Sequence, residues 1–201
     1  MTKSRTVEEM AAPLGSIESG RLVFTRGASR LELRVDAQMD DLYRARFEGK
    51  VPEIRVADGT VSVRYRSSLH PPSGEITLSG RIPWALEARW GMSDVTADLQ
   101  ELELTSLEIS GGASKVEVRM PHPKVAVPIR IGGGASDITV IRPEGVPIRV
   151  RTGGGSSNLS IDDLRFASAG KTDWQSPDYE GAEARYDIEI GAGTSAFTVR
   201  T

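Results

Sequence analysis

The sequence contains no cysteine, which excludes disulfides, thiolate nucleophiles and cysteine-ligated zinc or iron–sulfur sites. Its two histidines, His70 and His122, sit in proline-bounded loops, and neither is assigned a catalytic or metal-binding role. Aromatics make up only 5% of the chain, so its core has to be thin. No apolar run approaches the roughly 20 residues that a membrane-spanning helix needs. There are 25 basic and 28 acidic residues, a net charge of −3 with no block of one sign, which argues against a general nucleic-acid binder. The first ten residues are polar and lack the apolar stretch of a secretory signal, so the expectation is a soluble, cytoplasmic chain.

What is present is glycine, 21 residues of it, and 11 prolines, in a chain of 201 residues. A small-residue cluster recurs at Gly27-Ala28-Ser29, Gly91-Met92-Ser93, Gly111-Gly112-Ala113-Ser114, Gly132-Gly133-Gly134-Ala135-Ser136, Gly153-Gly154-Gly155-Ser156-Ser157 and Gly191-Ala192-Gly193-Thr194-Ser195. The serines at 93, 114, 136 and 157 are spaced by 21, 22 and 21 residues. The step from 29 to 93 is 64, about three such periods, and the step from 157 to 195 is 38, which reads as an insertion.

Two and four residues after each serine the side chains are apolar throughout, as in Val116/Val118, Ile138/Val140 and Phe197/Val199. The positions between them are polar, with Ala196 the exception. Ahead of each cluster the alternation repeats, as in Leu107/Ile109 and Ile129/Ile131. Period 2 on both sides of a glycine corner means two short strands, each with one buried face. Glycine suits the corner because it adopts φ > 0 and admits close backbone approach. Prolines mark the opposite corner at Met120-Pro121 and Arg142-Pro143. One such unit cannot bury its apolar face alone, whereas stacked units share a continuous core.

The predicted fold is therefore all-β: a single elongated stack of two-strand repeats, β-solenoid-like, with about 21 residues per repeat and eight or nine periods. A polar segment over 1–19 precedes a single β-repeat domain over 20–201, clearest over 86–201. A short N-terminal helix or cap is expected at 36–47, with Asp36 as N-cap and Met39, Leu42, Tyr43 and Phe47 at helical spacing. Residues 54–65 resemble a degenerate coil with an Asp-Gly turn.

The glycine corners Gly112, Gly134, Gly155 and Gly193 and their serines Ser114, Ser136, Ser157 and Ser195 are read as structural. A phosphate cradle needs a helix after the glycines, and here a strand follows each time. A nucleophile is needed once, and these serines have no histidine in register. The pairs Asp40/Asp41 and Asp162/Asp163 match no calcium-loop pattern. The candidate binding patch is Trp174, Tyr179 and Tyr186 in the insertion, where aromatics with nearby carboxylates can grip a sugar or peptide, or cover the apolar end of the stack.

The segments Leu107-Glu-Ile-Ser-Gly-Gly-Ala-Ser-Lys-Val-Glu-Val118 and Pro128-Ile-Arg-Ile-Gly-Gly-Gly-Ala-Ser-Asp-Ile-Thr-Val140 resemble the bacterial putative-adhesin or toastrack family. So do the closing Arg185-Tyr-Asp-Ile188 and Gly191-Ala-Gly-Thr-Ser195, and Trp174-Gln-Ser-Pro-Asp-Tyr179 looks like that family's late loop. The resemblance implies a β-strand stack and a setting in envelope-stress or membrane-associated signalling. It supplies no catalytic residues. The function expected is a non-enzymatic interaction or scaffold module with protein partners, no cofactor, no metal, no nucleic acid and no membrane insertion. A carbohydrate-binding or carbohydrate-active β-helix is the alternative. Self-association is expected through the terminal strand Phe197-Thr-Val-Arg-Thr201, taken to be an uncapped edge. In the stacked arrangement, Ala135→Leu breaks the narrow ladder of Ala113, Ala135, Ser156 and Thr194 and destabilises more than Thr139→Leu on the outer face. Equal melting temperatures for the two variants would rule out the stack.

Overall fold

Alternation of apolar and polar residues becomes a strand wherever the apolar side can be covered, and each repeat supplies two such runs facing one another. The computed structural model describes residues 7–49, 51–65 and 73–201, and among them no helix occurs. The first strands are β1 (Val7–Pro13), β2 (Gly20–Phe24), β3 (Ala28–Asp36), β4 (Asp41–Glu48), β5 (Glu53–Ala57) and β6 (Thr60–Arg64). There follow β7 (Ser73–Ser79), β8 (Pro83–Ala88), β9 (Met92–Asp98), β10 (Glu103–Ile109), β11 (Ala113–Arg119), β12 (Ala126–Ile131) and β13 (Ala135–Ile141). The last are β14 (Ile148–Thr152), β15 (Ser156–Ile161), β16 (Leu164–Ala169), β17 (Asp173–Gln175), β18 (Arg185–Ile190) and β19 (Thr194–Arg200).

They form a ten-stranded sheet, β1-β4-β7-β3-β9-β11-β13-β19-β15-β16, and a nine-stranded sheet, β17-β14-β18-β12-β10-β8-β2-β6-β5. Each coil places one strand in each sheet, and seven coils stack in parallel: β6/β7, β2/β3, β8/β9, β10/β11, β12/β13, β18/β19 and β14/β15. Antiparallel strands close both ends, β4, β1 and β5 at one and β16 and β17 at the other. The expected eight or nine periods are thus seven, because five strands serve the ends. Between the sheets run rows of buried side chains such as Leu31, Val95, Val116, Ile138, Phe197 and Leu159, paired strand to strand.

Spatial order departs from chain order twice. Ser29 pairs directly with Ser93, so the 64-residue step spans one coil and the antiparallel strands, with no further coil between the two. At the other end β18/β19 inserts between coils β12/β13 and β14/β15. The C-terminal strand is consequently internal, flanked by β13 and β15, and the uncapped edge expected there does not exist. Residues 142–147 carry the chain across the inserted coil. Arg142, 9% exposed, holds that crossing: its guanidinium donates to Val146 O at 2.8 Å and to Asp162 Oδ2 at 2.6 Å. Its backbone N–H donates to Arg200 O at 2.8 Å, so both neighbours are tied over the strand between them.

The expected helix is β4. Asp36 accepts the Gln38 N–H on its carboxylate at 2.8 Å, which makes a turn of it, not an N-cap. Tyr43, Ala45 and Phe47 then point inward and Arg44 and Arg46 outward, a period of 2 that the helical spacing of Met39, Leu42, Tyr43 and Phe47 had masked. Val7–Pro13, within the polar N-terminal segment, pairs with β4 as a sheet edge.

At the glycine corners, positive φ falls mainly on the residue after each serine: Arg30, Asp94, Lys115, Asp137, Asn158 and Ala196 lie at φ 50–56°. The pairing skips that residue in each of these six coils, passing for example from Ser114↔Ser136 to Val116↔Ile138, so a column of bulges runs across the sheet. Most of the corner glycines serve close approach. A Cβ on Gly133 would lie 2.7 Å from Gly112 N, and one on Gly154 2.7 Å from Gly193 N. The backbone ladder continues through the corner, with Met92 N–H to Gly112 O, Ala113 N–H to Gly134 O, Ala135 N–H to Gly193 O and Thr194 N–H to Gly155 O at 3.0–3.2 Å. Gly133→Ala should therefore cost about 3 kcal/mol or more, while Gly170→Ala, with nothing within 4 Å of the added carbon, should stay within about 0.5 kcal/mol. Urea unfolding of the two variants measures the difference.

Candidate functional site

The serines of the repeat form one column, Ser29, Ser93, Ser114, Ser136, Ser195, Ser157 and Ser168, on the outer side of the ten-stranded sheet. Beneath it the small side chains Ala113, Ala135, Thr194 and Ser156 pair in register and are buried. Gly112, Gly134, Gly193 and Gly155 accept the ladder hydrogen bonds that join the coils. These residues place backbone against backbone, and the column contains no general base.

The three aromatics of the expected patch do not share a surface. Tyr186 is 1% exposed and its hydroxyl donates to Pro121 O at 2.6 Å, and burial raises its pKa. Tyr179 is buried beneath the Arg185 guanidinium, which lies 5.0 Å from the ring centre. Trp174 pairs with Val150 and packs half-buried against the core. Only Trp174 stands on a closing strand, while Tyr186 lies on β18, inside the stack between β12 and β14, so the three are not available together to grip a ligand.

Among the described residues no group of three or more His, Cys, Asp or Glu is placed to hold a metal. Asp40 pairs with Arg81 at 2.5 Å, Asp41 with Arg44 at 2.6 Å and Asp162 with Arg142 at 2.6 Å. His122 is exposed, and His70 lies outside the described residues.

The outer side of the nine-stranded sheet divides in two. Over its C-terminal half, Glu108, Arg130, Glu189, Arg151 and Asp173 stand in one cross-strand row of alternating sign. Arg149 is bidentate to Asp173 at 2.7–2.8 Å, and Arg151 lies 3.1 Å from Asp187. That half neutralises itself. The N-terminal half does not: Arg21 and Arg89 share Glu87, and Arg55 takes Glu53. Arg26 and Arg64 have no ion pair among the described residues, and with Arg55, Glu53, Thr25 and Ser62 they line a shallow open depression. Beside it Trp90 is 67% exposed; its Cβ lies 3.5 Å from where a side chain on Gly27 would begin.

Burial pushes the Glu87 carboxyl up, but hydrogen bonds and charge from Arg89 and Arg21 outweigh it and hold it below its ordinary value. The five arginines and Trp90 come from three separate stretches of the chain, 21–26, 55–64 and 89–90, and meet because the strand order is β8-β2-β6-β5. A usable signal was present: aligning the corners at Gly27 and Gly91 sets Arg26 beside Trp90.

A parallel two-sheet stack with antiparallel closures defines a β-solenoid. The family model describing the N-terminal domain of toast_rack, DUF2154, matches residues 2–141, and the chain belongs to that family. A solved structure of a putative cell adhesion protein from Clostridium sporogenes is 20% identical, with 98% of this chain and 99% of that one aligned and a TM-score of 0.71, so it shares the fold. A putative adhesin from Bacteroides fragilis aligns over 99% of this chain and 97% of its own at 6% identity and a TM-score of 0.29. One from Parabacteroides merdae aligns over 99% and 96% at 11% identity and a TM-score of 0.32. Those two scores carry no argument. No curated protein matches the chain.

Because Glu87 is held below its unfolded value, its contribution to stability is full above about pH 4.5 and is lost as pH falls through the folded value. Unfolding free energy against pH should show an acid limb that is shallower in an Arg21→Gln/Arg89→Gln variant. An identical limb would mean that Glu87 does not contribute to it.

Proposed function

We propose that this chain is a non-enzymatic interaction module that binds an acidic stretch of a partner protein on the arginine-rich end of its nine-stranded sheet. One observation carries the reading: among the described residues two carboxylates serve five guanidiniums there, leaving Arg26 and Arg64 without an ion pair around the depression, in a chain whose net charge is −3. Surface ion pairs already formed contribute little to a newcomer, whereas unpaired guanidiniums attract carboxylates at long range and form bidentate contacts on arrival. Trp90 adds a flat apolar anchor at the rim, of the kind that dominates interface energy. The setting in envelope-stress or membrane-associated signalling, implied by family resemblance, belongs to this proposal.

Fluorescence anisotropy with a labelled Asp/Glu-rich peptide tests it. Binding should weaken as salt is raised from about 50 to about 200 mM, and an Arg26→Ser/Arg64→Ser variant should bind at least about tenfold more weakly with an unchanged melting temperature. Equal affinity in the variant overturns the reading. Binding of a neutral oligosaccharide that is lost in Trp90→Ala would replace it with the carbohydrate alternative.

A further inference from the structure

We propose that the free end formed by β16 and β17 is a self-complementary edge on which a second copy of this chain docks through a twofold axis. The surface is separate from the arginine-rich face, and the two proposals stand independently.

The two ends of the ten-stranded sheet are protected differently, whereas both edge strands of the nine-stranded sheet are uncharged on the core side, with Ile54 and Val56 on β5 and Trp174 on β17. At the first end, Glu8 of β1 pairs with the buried Phe47, so a charge points to the core side of the edge, and Pro13 lacks a backbone N–H. Inward charge and proline are the devices that keep a sheet edge from pairing with another chain. At the second end the core side carries Leu164, Phe166 and Ala169 from β16 and Trp174 from β17, with no charge among them. Leu164 is 42% exposed, and Phe166 and Trp174 are half-buried against the core. Among the described residues nothing pairs with the outer edge of either strand.

This difference selects the occupant. Head-to-tail growth would bring β1 of one copy against β16 of the next and enclose the Glu8 carboxylate among Leu164, Phe166 and Trp174, at a desolvation cost. A twofold arrangement avoids it. With the axis at Phe166, an antiparallel pair of β16 strands sets Phe166 opposite its own copy and Arg165 opposite Ala167, so no like charges meet. With the axis at Trp174, a pair of β17 strands sets Asp173 opposite Gln175.

One axis satisfies both sheets. Phe166 pairs with Leu159 and Trp174 with Val150, and those two residues flank the Gly153–Gly155 corner on either side. The proposed axis runs normal to the sheets past Phe166 and Trp174. Both sheets then continue across the junction with their core sides aligned. The face covers two strand edges in sheets about 10 Å apart, on the order of 1,000 Å² in total, the lower limit for a specific interface. The dimer is accordingly weak and concentration-dependent.

Sedimentation velocity of the full chain from about 5 to about 500 μM tests the proposal. A monomer–dimer equilibrium is expected, weakened at least about tenfold by Leu164→Lys with the melting temperature and acidic-peptide binding unchanged. In Glu8→Leu, removal of the guard at the first end should let species larger than a dimer form. Monomer throughout, a dimer indifferent to Leu164→Lys, or open-ended growth of the unaltered chain would each overturn it.

Discussion

The corner where six glycine-bearing coils pass within backbone contact fixes most of this molecule. A Cβ on Gly111 would lie 2.6 Å from Gly91 N and one on Gly132 2.6 Å from Ser110 O, so neighbouring coils can adopt only one relative height there. The hydrogen-bond ladder crosses the corner without a break, and both sheets are thereby locked into a single register. Everything periodic follows: the serine column, the row of bulges one residue further on, and the paired apolar rows between the sheets. A one-residue slip would turn every apolar side chain outward, and the glycine corner forbids it before the core has to.

The same rigidity explains how the ends are built. A parallel coil presents open strand edges above and below, and the next coil in sequence would only move the problem along. At each end the chain reverses, laying β4 and β5 antiparallel on one side and β16 and β17 antiparallel on the other. At the second end the reversal precedes the last coil, which then fills the place left between β12/β13 and β14/β15. The short crossing over 142–147 is held by Arg142, whose Nε and whose partner's Asp162 Oδ1 are left without hydrogen bonds. That incomplete satisfaction is the cost of carrying a charge through a crossing where only backbone would otherwise fit.

The all-β character, the two-strand repeat and the glycine corners are legible in the sequence because each is a local pattern. The order of coils is not, because spacing counts residues and says nothing of which coils touch. Ser29 and Ser93 stand 64 residues apart and pair directly. The helix read at 36–47 fails for a related reason: Met39, Leu42, Tyr43 and Phe47 fit a 3.6 period, and only the open edge of β7 decides in favour of the alternation of Tyr43, Ala45 and Phe47. Trp174, Tyr179 and Tyr186 drew attention as aromatics in an insertion, where the fold buries both tyrosines and sets only Trp174 on a closing strand. Arg26, Arg64 and Trp90 drew none, being single residues at ordinary corners that only strand order assembles.

Charge on the nine-stranded sheet shows what such assembly adds. In a parallel stack, equivalent positions of successive coils lie side by side, so like residues in a repeat would repel along the whole row. The C-terminal half meets this by alternating Glu108, Arg130, Glu189, Arg151 and Asp173. The N-terminal half carries a surplus of arginine at Arg26 and Arg64, and the isolated stack gains nothing from it. The stack neutralises itself over four coils and leaves one end unneutralised among the described residues, which is the end the proposed acidic partner would complete.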